Sequence, residues 1–403
     1  MLEKIKDDVK KAKKTGADLI AILLHYGSQF SHKPDTFQQK WNKIFTDLGV
    51  DIILGAHSQA VQPIEYVNNN KTIIINCPGN FINSYIKNNG DATSIIDLYI
   101  DKKTKKVIGS SIIPMYSQQL RNGYFRALPI YNIISKDIFN ETINEKEMKR
   151  IKDIQELTTK IMIRQKVPLY DAQENYVFIN NTFYIESNFK KTVEKYKNKE
   201  LYKLINNSVN ITFIGDGITE GTLNNFHPWF EPLINCFNNK KIINISKGRY
   251  TTKNILINFK NHILESKTQL YIIGIGTNDI RYRNHEFCAM NKNEFIVEIN
   301  KIVDLIKKSN LNSKIVLISP WMSLSNDTVT VVHGNEKKQL YEEFSLSLKE
   351  YCEKNNFLYI NPNIYLETIL NENTKNKYMK DFINPNEDKG IKLYSEAVLI
   401  TSK

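Results

Sequence analysis

The second half of the sequence alternates short apolar runs with longer stretches of helical spacing. The apolar runs are Ile211–Gly215, Lys241–Ile245, Gln269–Ile273, Lys314–Ser319 and Phe357–Ile360. The helical stretches are Leu223–Asn235, Thr252–Glu265, Lys292–Lys308, Lys337–Lys354 and Lys389–Ser402. Strands without polar alternation are buried on both faces, so this order predicts an α/β fold with a parallel, doubly wound sheet. Ligands of such folds meet the loops at the carboxyl ends of the strands.

The first of these strands runs into a glycine-rich turn. Ile211–Gly221 reads ITFIGDGITEG. It resembles the first block of the SGNH/GDSL hydrolase family, Gly-Asp-Ser-x-Thr-x-Gly, which implies a flavodoxin-like, three-layer α/β/α domain over residues 206–403. Asp216 and Thr219 match that block, and Thr219 is expected to be structural. The nucleophilic serine of the block falls on Gly217.

Two further loops resemble later blocks of this family. Asn244–Thr252 is similar to the second block and, aligned without a gap, places Arg249 instead of Gly248 at the oxyanion-hole glycine. Any backbone N–H can donate there, so the resemblance implies a donor near either residue. Gly276–Asp279 matches the third block, with Asn278 at the position of the oxyanion-hole asparagine.

The fifth block of the family, Asp-x-x-His-Pro, corresponds to DFINP at residues 381–385. Asp381 is kept, but Asn384 stands where the family has its catalytic histidine. Acyl hydrolysis of this kind needs a nucleophile, a base and oxyanion donors. Gly217 has no side chain to attack with, and an amide such as Asn384 takes no proton at neutral pH. The resemblance therefore implies a pocket that keeps its donors and has lost its nucleophile and base.

Other side chains could in principle serve the same pocket. His285 and His333 lie in or near loops at strand ends and could reach it, although packing or surface roles are the commoner outcome for such histidines. Trp229 and Trp321 are expected to pack at the sheet edge or pocket wall, with stacking on carbohydrate as the alternative.

The first part of the chain places two histidines at the ends of successive apolar runs. The runs Ala17–Leu24 and Asp51–Leu54 read as buried strands that lead to His25 and His57. Surface helices are predicted at Leu2–Thr15 and Thr36–Leu48. Further strands are predicted at Val61–Val67, Lys71–Asn76, Ser94–Ile100 and Lys106–Pro114, with hairpin turns at Asn68–Asn70 and Asp101–Lys105. Histidines in this arrangement are a pattern of metal sites.

Three stretches in this region carry a second resemblance. They are LLHYGSQF at 23–30, GAHSQAVQPIEY at 55–66 and INCPGNF at 75–81. They are similar to the CapA-like family of poly-γ-glutamate capsule synthesis, a branch of the calcineurin-like metallophosphoesterases. The resemblance implies that residues 1–128 correspond to the C-terminal half of such a domain.

The resemblance implies metal-ligand roles for the two histidines. His25 falls on the family's H-W-G histidine and His57 on the first histidine of its G-x-H-x-H motif, whereas Gln59 takes the place of the second. The family's Gly-Asp and Asn-Asn-His blocks would precede residue 1. A divalent-metal site is therefore incomplete in this sequence, and the alternative is that both histidines pack at strand ends.

Residues 129–205 carry no motif with chemistry. Ile134–Arg164 and Asn188–Asn206 have helical spacing, and Tyr176–Ile185 reads as a hairpin around Asn180 and Asn181. We predict a helical and hairpin connector between residues 1–128 and 206–403.

The composition narrows the classes of partner. Lysine and arginine total 55 against 43 acidic residues, but the lysines are spread along the chain, so we expect no nucleic-acid partner. A nucleic-acid or anionic-surface partner is the alternative. The four cysteines are far apart and predict neither a disulfide framework nor a zinc site. We expect no membrane span, and the charged N-terminus is not a signal peptide.

Two functions follow from these patterns. The first is a degenerate hydrolase-fold protein with a binding or accessory role in cell-envelope or capsule polymer metabolism, whose ligand is an acylated glycan or another small ester-like molecule. The alternative is an active hydrolase, either an esterase with an altered site or a metal-dependent phosphoesterase in a longer chain. The SGNH-like domain would need no cofactor. The family resemblance implies a cell-envelope or extracellular location, which the sequence itself leaves unknown.

Overall fold

The computed structural model of the protein describes residues 2–83, 87–136, 138–139, 142–179, 182–184, 187–280, 282–283, 287–288, 290–324 and 334–403. These residues form two compact units, 1–186 and 187–403. No helix among the described residues is both long and apolar enough to cross a membrane.

The first unit combines two sheets with four helices in its described part. Its helices are α1 (Leu2–Lys14), α2 (Thr36–Asp47), α3 (Ile130–Ile134) and α4 (Glu145–Met162). Its strands are β1 (Ala21–Tyr26), β2 (Ile52–His57), β3 (Ile64–Val67), β4 (Thr72–Ile75), β5 (Ala92–Ile100), β6 (Val107–Gln119), β7 (Phe125–Pro129), β8 (Tyr176–Ile179) and β9 (Thr182–Tyr184). The order of the first sheet is β1-β2-β4-β3, and that of the second is β5-β6-β8-β9 with β7 also paired to β6.

The sequence pattern accounts for most elements of this unit. The predicted turn at Asn68–Asn70 joins the antiparallel strands β3 and β4, and all three asparagines have a left-handed backbone, which asparagine tolerates better than most residues. Strands β8 and β9 pair antiparallel as the predicted hairpin requires, while Asn180 and Asn181 lie outside the described residues. Helix α2 begins with a capping box between Asp35 and Gln38.

The residues of the predicted connector, 129–205, are divided between the two units. Ile151 and Ile154 of α4 are fully buried in the core of the first unit, and β8 pairs with β6. After residue 187, Phe189 and Leu201 are buried in the core of the second unit. The physical reason is that both segments bury apolar side chains, which a spacer would leave in solvent.

The second unit contains the alternation expected from the sequence. Its strands are β10 (Asn210–Gly215), β11 (Lys241–Ser246), β12 (Leu270–Gly274), β13 (Tyr282–Arg283), β14 (Phe287–Cys288), β15 (Lys314–Ile318) and β16 (Leu358–Ile360). Its helices are α5 (Asn188–Lys195), α6 (Glu200–Asn207), α7 (Gly217–Glu220), α8 (Glu231–Ile234), α9 (Thr252–Ser266), α10 (Lys292–Ser309), α11 (Gly334–Asn355), α12 (Asn363–Ile369), α13 (Lys375–Tyr378) and α14 (Lys389–Thr401).

Five of these strands form one parallel sheet in the order β11-β10-β12-β15-β16. Successive residues of each strand point to opposite faces, as strand geometry requires. In β12, Leu270 and Ile272 enter one apolar core, and Tyr271 and Ile273 enter the other. Helices such as α14 and α10 cover the two faces, so the unit is the predicted three-layer α/β/α fold with a flavodoxin-like strand order.

The helix predicted at Leu223–Asn235 is wrong for most of its length. The structure has a 3-10 turn at Thr222–Asn224 and then only the short α8. Asn225 and Phe226 both have a left-handed backbone, with φ of 52° and 64°, and this conformation ends a right-handed helix.

We predict that the central strand determines the stability of the second unit. Ile272 is 1% exposed in β12, and Ile257 on α9 is 76% exposed. Ile272→Ala should lower the free energy of unfolding by about 2–5 kcal/mol, and the matched Ile257→Ala by about 0.5 kcal/mol or less. Urea denaturation followed by tryptophan fluorescence measures both. Equal losses in the two variants would contradict the placement of β12 at the centre.

Candidate functional site

Three loops meet at the carboxyl edge of the parallel sheet. The strand register places Gly215 at the end of β10 beside Ser246 of β11 and Gly274 of β12. The loops that follow these strands therefore start side by side, at the point where the strand order reverses. This is the part of a doubly wound sheet at which ligands bind.

The first loop is held by contacts beneath the motif. Asp216 caps α7, and its carboxylate accepts a hydrogen bond from the Ile218 N–H at 3.1 Å. Thr219 is 1% exposed, and its hydroxyl accepts a hydrogen bond from the Trp229 indole N–H at 3.3 Å. It also donates to the Gly274 carbonyl at 3.4 Å. The expectation that Thr219 is structural agrees with these contacts.

Gly217 leaves open space where the family has its serine. A Cβ built at this position has one neighbour within 4 Å, the Gly248 Cα at 3.4 Å, which is ordinary van der Waals contact. A serine would fit there. The local backbone therefore does not require glycine at position 217.

Asn278 and Asp279 anchor the third loop. The Asn278 amide donates from Nδ2 to the Tyr250 carbonyl at 3.0 Å. Asp279 is fully buried and accepts hydrogen bonds from the backbone N–H of Thr252 at 3.0 Å and from its hydroxyl at 2.6 Å. Burial raises the pKa of Asp279 to about 6, although its hydrogen bonds act in the opposite direction.

Asp381 and Asn384 form a hydrogen-bonded pair. The Asp381 carboxylate accepts from the Asn384 side-chain amide at 2.8 and 3.1 Å, and from the Asn384 backbone N–H at 2.7 Å. Because a carboxylate only accepts, the Asn384 nitrogen must face Asp381. The oxygen of this amide takes up no proton at neutral pH, so Asn384 orients the loop without acting as a base itself.

The structure corrects the expected role of Gly248. Its N–H donates to the Glu220 carboxylate at 2.6 Å and so is used within the protein. Thr222 also donates to this carboxylate, and Lys247 donates to it at 3.0 Å. Arg249, the residue at the family's glycine position in the ungapped alignment, has φ of 66°, a conformation that favours glycine.

Glu220 is a part of the site that the sequence pattern did not single out. Burial tends to raise the pKa of Glu220, but the hydrogen bonds that it accepts outweigh burial and hold the pKa below its ordinary value. The carboxylate is therefore ionised near neutral pH and pairs with Lys247. Its position inside the first motif, directly before Gly221, was the only signal in the sequence.

All six residues predicted from the hydrolase resemblance line one cleft of about 450 Å³. These residues are Asp216, Gly217, Gly248, Asn278, Asp381 and Asn384. The lining also includes Arg249 and four residues to which the sequence pattern assigned no role, namely Glu220, Thr222, Leu223 and Lys247. The cleft thus combines hydrogen-bond donors, carboxylates and two basic side chains.

The two tryptophans of the second unit are core residues. Trp229 and Trp321 are 1% and 0% exposed in one apolar core, with ring centroids 5.5 Å apart, so stacking on carbohydrate is wrong for both. His285 and His333 lie outside the described residues.

The candidate metal ligands lie in the first unit and contact each other. His57 Nδ1 is 2.8 Å from His25 Nε2, a hydrogen bond in which one ring donates to the other. A metal would have to break this bond to use both nitrogens. Among the described residues, no group of three or more His, Cys, Asp or Glu side chains is placed to hold a metal ion. The pair therefore does not fit a dinuclear centre by itself, and no chemical step is assigned to a metal.

Comparison with known families agrees with both resemblances. Residues 213–388 match the model of the GDSL-like Lipase/Acylhydrolase family, and residues 1–85 match that of the bacterial capsule synthesis protein PGA_cap. The second unit is thus a GDSL-like domain. The first unit contains a segment of the capsule synthesis family.

Individual relatives extend this comparison. Over 74 residues the chain is 34% identical to the PGA biosynthesis protein CapA of Bacillus subtilis. The aligned stretch makes up 18% of this chain and 19% of that protein. The chain thus spans about a fifth of that relative's length.

Solved structures of two other proteins are similar to this chain. A member of the lipolytic G-D-S-L family from Veillonella parvula has 17% identity and a TM-score of 0.38. The match covers 47% of this chain and 96% of the Veillonella protein. A catalytic mutant of an acetylxylan esterase from Geobacillus stearothermophilus also has 17% identity and a TM-score of 0.38. The match covers 48% of this chain and 93% of the esterase.

The buried Asp279 should make the stability of the second unit depend on pH. Its pKa is raised in the folded state, so the unfolded chain ionises first and stability is lost as the pH rises from about 4 through 6. Across this range, the free energy of unfolding of the wild type should fall relative to that of Asp279→Asn by up to about 3 kcal/mol. Urea denaturation at several pH values measures the difference. Parallel curves for the two proteins would contradict it.

Proposed function

We propose that this chain is a degenerate hydrolase-fold protein that binds an acylated ligand without cleaving it. The observation that carries the proposal is the combination of residues in the cleft of the second unit. The oxyanion-hole asparagine of the family is present as Asn278, and the Gly217 N–H lies at the first turn of α7. The positions of the nucleophile and base are taken by Gly217 and Asn384.

Physical chemistry supports a loss of turnover. Removing the serine and the histidine of such a triad lowers the rate on the order of 10⁶-fold, while the remaining site retains about 10³-fold over water. The Asn384 amide, at the position of the family's histidine, takes up no proton at neutral pH. Hydrogen-bond donors that point at a carbonyl oxygen can still hold an ester or acetyl group in its ground state.

The setting of this binding role is inferred from the first unit. Its segment of the capsule synthesis family supports an accessory role in cell-envelope or capsule polymer metabolism, with an acylated glycan as the ligand. The acetylxylan esterase among the structural relatives has a name that refers to an acetylated glycan. We infer no nucleic-acid partner, because the site offers hydrogen-bond donors and carboxylates instead of a basic groove.

Restoring the two missing groups tests the loss of catalysis. Gly217→Ser fits the open space beside Gly248, and Asn384→His would place an imidazole next to Asp381. The wild type and each single variant should hydrolyse p-nitrophenyl acetate at the same rate. The double variant should hydrolyse it at least about tenfold faster than the wild type, because nucleophile and base act as a unit. A wild type as active as the double variant would overturn the proposal and favour an active hydrolase.

Binding is tested with a matched pair of sugars. Ligand-observed NMR should detect contact with an O-acetylated xylo-oligosaccharide and weaker contact with the same oligosaccharide after deacetylation. Gly217→Val fills the space at the cleft floor and should abolish the difference. If the wild type and the blocked variant gave equal signals, binding would not occur in this cleft.

A further inference from the structure

Arg249 is a lining residue of the cleft whose conformation is unusual for its type. It follows β11 and has φ of 66°, in the left-handed region. A side chain other than glycine, asparagine or aspartate in this region costs on the order of 1 kcal/mol. Strain of this kind often accompanies a functional side chain.

The two basic residues of the cleft differ in their surroundings. Lys247 donates to the Glu220 carboxylate at 3.0 Å. This ion pair offsets the positive charge of Lys247. Arg249 is exposed and has no hydrogen bond or ion pair with the part of the chain that the structure describes. Among the described residues that line the cleft, its guanidinium is therefore the positive group that remains for a ligand.

The carboxylates of the cleft set where an anion can lie. Glu220 accepts three hydrogen bonds, Asp381 accepts from Asn384, and Asp216 accepts from the Ile218 N–H. These charges would still repel an anion placed at the cleft floor. A negative group is therefore favoured beside Arg249 and disfavoured at the position of the acyl carbonyl.

We propose that Arg249 selects ligands that carry a carboxylate group several bonds away from the acyl group held near Gly217 and Asn278. The planar guanidinium can bind a carboxylate through two parallel hydrogen bonds, which an ammonium group cannot reproduce. This inference rests on the proposed binding function and adds the chemical class of the ligand.

The test uses two probes that differ in charge and by one methyl group, N-acetylmuramic acid and its methyl ester. Both carry an acetyl group on a sugar, and only the acid carries a carboxylate. The wild type at low salt should bind the acid about fivefold more tightly than the ester by NMR titration, the value expected for one partly exposed ion pair. Added salt should reduce this preference, because it screens the pair.

Variants at one position separate charge from folding. Arg249→Gly suits the left-handed backbone, so it should fold at least as stably as the wild type, lose the preference for the acid and keep its affinity for the ester within about twofold. Arg249→Lys should keep only part of the preference. Lys260→Gln removes the same charge from α9, outside the cleft lining, and should leave the preference unchanged.

The outcomes distinguish the two proposals. If the wild type binds both probes equally, or if Arg249→Gly keeps the full preference, the role of Arg249 is wrong while binding of acylated sugars stands. If the wild type binds neither these probes nor the acetylated xylo-oligosaccharide, the proposed function fails and the inference fails with it.

Discussion

The candidate site depends on the close approach of two strand ends and one threonine. Gly215 and Gly274 lie side by side in register, and Thr219 packs against both. A Cβ on Gly215 would lie 2.3 Å from the Thr219 hydroxyl oxygen and 2.7 Å from the Gly274 carbonyl oxygen, closer than real atoms allow. Glycine is thus required at 215 by packing. This contact holds the start of α7 against the sheet and so positions Gly217 at the cleft.

The groups that would perform chemistry are not part of that framework. Gly217 has space for a side chain, and its neighbour Gly248 contacts it only through Cα. The Gly248 N–H is satisfied by Glu220 instead of by a ligand. A cleft of this kind can lose its nucleophile without losing its shape, because the stabilising contacts lie one layer below the surface on which the reaction would occur.

The sequence predicted the framework better than the contacts within the cleft. Buried runs such as Leu270–Gly274 could be recognised because strands covered on both faces are apolar throughout, and a parallel sheet necessarily gathers the loops at one edge. The contact of Glu220 with the Gly248 N–H could not be foreseen. It depends on the rotamer of one side chain reaching across two loops that are 28 residues apart in sequence.

The broken helix after α7 shows a second limit of the sequence pattern. Residues with helical spacing follow Leu223, yet Asn225 and Phe226 adopt a left-handed backbone and the chain turns. Asparagine is among the residues that tolerate this region, and phenylalanine is not. The Phe226 side chain is largely exposed, and its N–H donates to the Gly221 carbonyl at 2.8 Å, so a backbone hydrogen bond closes the turn. Local propensity therefore predicted a helix where the chain forms a turn after α7, although the strands of the surrounding sheet were predicted correctly.

The nature of the two substitutions bears on whether the cleft is still used. A triad histidine gives its aspartate one side-chain N–H, and Asn384 gives Asp381 an amide nitrogen in its place. The Asn384 side chain and backbone N–H both donate to Asp381 and so order the loop, but the amide offers no proton acceptor. Gly217 likewise deletes an attacking oxygen, while the neighbouring Asp216 cap is kept. The Asp381–Asn384 hydrogen bonds and the Asp216 cap order two loops of the cleft, and an ordered cleft is what the proposed binding role requires.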